Sequence, residues 1–110
     1  NQELHQGYIF VKSDYQMVKI FLKDIIYIEG LDDYIKIYLP QRSVLTLMTL
    51  KTITQKLPSK EFLRVHRSYI VPVSRIYHIS KSKIRVAEKD IPIGLSYSES
   101  FFSAMEQRLQ

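Results

Sequence analysis

The segment FLRVHRSYIV, residues 62–71, sets four polar side chains, Arg64, His66, Arg67 and Ser68, inside an otherwise apolar, β-rich run. A guanidinium can fork onto the O6 and N7 atoms of guanine or onto a phosphate, and a hydroxyl can donate to a phosphate oxygen. His66, Arg67 and Ser68 therefore carry the chemistry of nucleic-acid contact. Ser68 and His66 could also be read as nucleophile and base. Side chains two apart on one strand point the same way, however, and the sequence offers neither an orienting carboxylate nor an oxyanion loop. The plainest alternative is a set of solvated residues at a strand end.

Other chemistry finds little foothold. The chain has no P-loop, dinucleotide fingerprint or HExxH helix. It has no cysteine, which removes disulfides and thiolate ligands and fits a reducing cytoplasm, and His5 and His78 lack the spacing to complete a metal site. We expect no enzyme, no cofactor and no metal. No apolar run is long enough to cross a bilayer, so no membrane partner is expected.

The formal net charge is +5, which favours a polyanionic partner only weakly until its distribution is seen. Lys60, Arg64, Arg67, Arg75, Lys81, Lys83 and Arg85 fall in one region opposed only by Glu61, whereas Asp24, Glu29, Asp32 and Asp33 cluster earlier. The basic character is regional and surrounds the segment of interest.

At 110 residues the chain suits one domain. The opening NQELHQG has no periodicity and reads as a linker remnant over 1–7, with the domain over 8–110; the start at Asn1 suggests a piece of a longer chain. From Tyr8 the pattern is period two or short β-rich: YIFVK, YQMVKIF, DIIYIE, DYIKIYL and SVLTLM, then RIYHIS, KIRVA and DIPIG after the opening segment. Short connectors rich in Ser, Asp, Gly and Pro join them, as hairpins require. Two stretches read as helix. In LKTITQKL, Leu50, Ile53 and Leu57 share a face and Pro58 ends it. From Ser96 to the C-terminus, Phe102, Met105 and Leu109 recur at helical spacing, with Ser96 and Glu99 as a capping box. Within FLRVH, period two places Leu63 and Val65 on the core face and Arg64 and His66 on the other. The break at Arg67–Ser68 predicts a turn or bulge that pushes Arg67 outward.

FLRVHRSYIV, with DIIYIEGLDDYIKIYL upstream and IPIGLSYSESF downstream, resembles the LytTR domain of LytR/AlgR-type bacterial response regulators, in order from about Tyr8 to Leu109. The resemblance implies a mainly β fold: an elongated stack of short, mostly antiparallel β-sheets with one short inserted helix and a C-terminal helix. It implies sequence-specific binding of double-stranded DNA by loops entering the major groove, often on paired direct repeats. The domain would be the output half of a transcriptional regulator, following a receiver domain that a sensor histidine kinase addresses.

Three loops follow from the resemblance. The first is EGLDDYIK, where Tyr34 matches a base-contacting position and Lys36 follows for a phosphate, with the acids Asp32 and Asp33 beside them. The second holds Arg67 at the main base-contacting position, with Arg64, His66 and Ser68 as helpers. The third is GLSYS, where backbone N–H groups at Ser96 and Tyr97 could receive a phosphate. Relatives often carry a basic residue near Leu95 or Ser96, and many have Asn where this chain has Pro72; both are departures. Two rival readings remain. One is an RNA-binding module stacking bases on Tyr8, Phe10, Tyr27, Tyr34 and Tyr38, although the RNP pattern is missing. The other is a protein-interaction β-module using an exposed edge strand.

Overall fold

A computed structural model of the chain describes residues 7–109. Among these residues the fold is mainly β, with ten strands in three antiparallel sheets. Strands β1 (Tyr8–Ser13) and β2 (Gln16–Phe21) form a hairpin. Strands β3 (Tyr27–Leu31), β4 (Tyr34–Tyr38), β5 (Ser43–Leu47), β6 (Phe62–His66) and β7 (Tyr69–Pro72) form a central sheet of order β5-β4-β3-β7-β6. Strands β8 (Ile76–Ile79), β9 (Lys83–Val86) and β10 (Lys89–Pro92) form the third sheet. Helix α1 spans Leu50–Thr54 and α2 spans Leu95–Glu106. The body is elongated, 41 × 31 × 24 Å. No helix among the described residues is long and apolar enough to cross a membrane.

The central sheet is the middle layer because it buries both faces. On one side Ile28, Ile35, Ile37 and Ile70 pack against Val11 and Ile20 of the hairpin and Leu50, Ile53 and Leu57 of the α1 segment. On the other, Tyr27, Val65 and Val71 pack against Ile84, Val86 and Ile91 of the third sheet and Phe101 of α2. The alternation predicted from sequence holds in β4, where Ile35 and Ile37 are buried and Tyr34, Lys36 and Tyr38 take the other face. The hairpin is stitched to edge strand β5 by side chains: Ser13 Oγ donates to the Leu45 carbonyl at 2.7 Å, and Thr46 Oγ1 to the Lys12 carbonyl at 2.6 Å.

Several sequence expectations need correction. The segment expected as a strand from Asp24 begins only at Tyr27, because Leu22–Asp24 closes into a 3-10 turn. The first helix ends at Thr54 rather than reaching Leu57, although Leu50, Ile53 and Leu57 are all buried as expected. The second starts at Leu95, with Gly94 at its N-cap and no side-chain cap, so Ser96 is inside the helix and forms no capping box. Its buried residue is Phe101; Phe102 and Leu109 are exposed, and Met105 packs against the core one turn beyond Phe101. Residues 1–6 of the expected linker lie outside the described residues.

Candidate nucleic-acid interface

Antiparallel pairing brings three connections to one end of the central sheet. Strand β3 ends at Leu31 and β4 leaves at Tyr34; β5 ends at Leu47 and hands over to α1; β6 ends at His66 and β7 leaves at Tyr69. Backbone hydrogen bonds tie these connections together. Gly30 N–H donates to the Ser68 carbonyl at 2.9 Å, Met48 N–H to the Asp33 carbonyl at 3.2 Å, and Gly94 N–H to the Val65 carbonyl at 2.8 Å. The last bond brings the start of α2 to the same turn. Gly30 suits its place because a Cβ there would lie 3.1 Å from Leu50 Cδ1, within the core.

The expected irregularity is a bulge in β6. Arg64 pairs with Ile70 and His66 with Tyr69, so Val65 is the extra residue, and it is fully buried. The four polar side chains then divide. Arg64 is half-buried and points back at the turn: its Nε donates to the His66 carbonyl at 3.1 Å and its Nη2 to the Arg67 carbonyl at 2.7 Å. Its guanidinium also sits 5.5 Å from the centre of the Tyr97 ring. The half-buried His66 accepts the Ser68 N–H on Nδ1 at 3.1 Å, which requires Nδ1 to be unprotonated. Arg67 is exposed, and among the described residues its guanidinium has no hydrogen-bond or ion-pair partner. Two side chains thus brace the turn while a third projects from it.

Arg64, Arg67 and Ser68 share an open concavity of about 470 Å³ with Gly30, Asp32, Tyr34, Thr49 and Lys51. Tyr34 is 43% exposed at its rim, so this aromatic is available rather than packed away. Lys36 lies on β4 outside the concavity, opposite Glu29, with its ammonium 5.1 Å from the Tyr38 ring centre. Ser96 is exposed, whereas Tyr97 is half-buried and its N–H donates to the Gly94 carbonyl at 2.9 Å, so that N–H is not available to a phosphate. Sequence reasoning missed Lys51. Its signal was topological: an antiparallel β5 must return the chain to the end where β4 began, which places the start of α1 beside the β3–β4 turn.

The aromatic residues do not form one platform. Tyr8 and Phe10 belong to the hairpin, and Tyr27 stacks on Tyr38 at 4.2 Å within the far core layer. Tyr38 donates to Glu29 Oε1 at 2.8 Å and Tyr69 to Oε2 at 3.3 Å. Burial pushes the hydroxyls of Tyr27, Tyr38 and Tyr69 above the usual tyrosine value, and the Glu29 carboxylate pushes all three further up. For Tyr27 a hydrogen bond with Tyr38 acts in the opposite sense.

A family model described as the LytTr DNA-binding domain matches residues 15–109. Among curated proteins, the transcriptional regulatory protein NatR of Bacillus subtilis (strain 168) is 38% identical over 74 residues, covering 67% of this chain and 32% of that protein. The sensory transduction protein LytT of the same strain is 33% identical over 89 residues, covering 76% of this chain and 37% of that protein. The matches thus span about a third of the length of either relative. A solved LytTr DNA-binding domain, from a Bacillus cereus protein described as a methyl-accepting/DNA response regulator, superposes with a TM-score of 0.78 at 21% identity, covering 91% of this chain and 97% of that one. At that identity the likeness speaks for the fold alone.

Proposed function

This chain belongs to the LytTr DNA-binding domain family, and from that premise we propose that it binds duplex DNA sequence-specifically, presenting the turns at one end of its central sheet to the major groove. The observation that carries the reading is the exposed Arg67 guanidinium, without a partner among the described residues, on a turn whose backbone is fixed by Arg64, His66 and Gly30. A rigid turn with one projecting guanidinium loses little side-chain freedom beyond that of Arg67 itself when it meets a guanine edge. Arg67 is the base reader, with Tyr34 beside it at the rim. Ser68, Lys51 and the Ser96 N–H are phosphate contacts, and Lys36 meets a flanking phosphate. Arg64, His66 and Tyr97 hold the turn in shape.

The full-length protein would be a response regulator acting in the cytoplasm on paired direct repeats, its receiver domain controlled by a sensor histidine kinase. The test is selection of binding sites from random duplex DNA with the wild type and Arg67→Ala. A defined motif for the wild type, with preference relaxed at one base position and affinity reduced by about 1–3 kcal/mol for the variant, is the expected result. Equal weakening on every sequence would reduce Arg67 to a phosphate contact.

A further inference from the structure

An acidic residue shares the concavity with the cations. Asp32 sits in the two-residue β3–β4 turn at φ 56, a left-handed conformation that Asp tolerates, and lines the same surface as Arg67, Ser68 and Lys51. Its side chain is exposed, and among the described residues it has no hydrogen-bond or ion-pair partner, so it neither neutralises Arg67 nor caps the turn. Asp33, the next residue, is absent from the lining; its backbone carbonyl accepts from Met48 N–H. Carboxylate repulsion opposes any phosphate brought to this surface, so Asp32 weakens non-specific binding.

The carboxylate has one favourable partner in the major groove. A cytosine offers its N4 amino group there, a donor that an acceptor-only side chain can take. A G·C pair presents two acceptors from guanine beside one donor from cytosine, and a guanidinium next to a carboxylate matches that row. We infer that Asp32 is a specificity-determining residue that accepts from the N4 amino group of a cytosine, either paired with the guanine read by Arg67 or one step from it. The inference rests on the proposed major-groove reading and adds a second recognised base to it.

The test is selection from random duplex DNA with the wild type, Asp32→Asn and Asp33→Asn. Asparagine tolerates the left-handed conformation at least as well as aspartate, so the turn is preserved. An amide pairs with adenine N6 and N7 rather than cytosine, so Asp32→Asn is expected to lose the cytosine preference, by about fivefold or more, and to gain adenine at that position. Asp33→Asn removes an equal charge from the same turn and is expected to leave the motif unchanged. An unaltered motif for Asp32→Asn, with binding merely stronger on all sequences, would overturn the inference while leaving the major-groove reading intact. A wild type that enriches no motif would overturn both.

Discussion

The Arg64 guanidinium donates to the backbone carbonyl of Arg67 at 2.7 Å, so one arginine of the segment holds the turn that carries the other. With its second bond, to the His66 carbonyl, Arg64 uses the fork geometry that lysine lacks. We predict that Arg64→Lys, which conserves charge, lowers stability by about 1–2 kcal/mol in urea denaturation and weakens selectivity for the specific site. A variant with wild-type stability and selectivity would show that the turn keeps its shape without the brace.

Lys51 lies in the five-residue helix α1 and lines the concavity, and no described residue pairs with it. On the proposed reading it meets a DNA phosphate. Lys51→Ala should weaken binding to all duplexes to a similar degree and reduce the slope of log affinity against log salt by about one unit, with unfolding unchanged. An unchanged slope would take Lys51 out of the interface.

Glu29 raises the tyrosine hydroxyls around it, but burial is the larger cause for Tyr38 and Tyr69. A folded value above the unfolded one means that this contribution to stability is complete below the unfolded tyrosine pKa and is lost as pH rises through the folded values. Alkaline titration followed by tyrosinate absorbance should therefore show a late-ionising group in the wild type. In Glu29→Gln those tyrosines should ionise earlier, yet still later than exposed ones. Superimposable curves would mean that the carboxylate has no hold on the cluster.

Gly30 donates to Ser68 and faces Leu50, leaving 3.1 Å for a Cβ, so that the Leu50 side chain would have to give by a few tenths of an ångström. We expect Gly30→Ala to destabilise the fold by about 1–2 kcal/mol through overpacking, read as a lower urea midpoint at unchanged slope. A midpoint equal to the wild type would indicate that Leu50 moves aside at no cost.

Strands were legible wherever one face of the sheet is dry and the other wet, as in β4 and β5, because side-chain alternation then appears directly in the residue types. The pattern weakens where both faces are covered or a bulge intervenes: Phe62 and Val65 are both buried, yet belong to opposite core layers. In α2, Phe101 with Met105 and Phe102 with Met105 both fit helical spacing, and only the location of the sheet surface decides that Phe101 is the one buried. The residue types of the β6–β7 turn, and the projection of Arg67 from it, were visible from the start. That Arg64 turns back to brace it was not, because this depends on backbone carbonyls that carry no sequence signal. Lys51 was hidden for a related reason, being brought to the turn by strand topology rather than by proximity in the chain.

The side-chain stitches between the hairpin and β5 reach past the interface in their effect. Strand β5 ends the sheet with Leu45 and Leu47 exposed, the features of an edge that invites aggregation. Its Leu45 carbonyl is taken by Ser13 and its Thr46 hydroxyl is anchored on Lys12, while at the opposite margin the Val65 carbonyl is taken by Gly94. An incoming strand at either margin would have to break such a bond before forming its own. The fold can therefore keep an apolar, solvent-facing strand at its border and still resist being lengthened into a fibre.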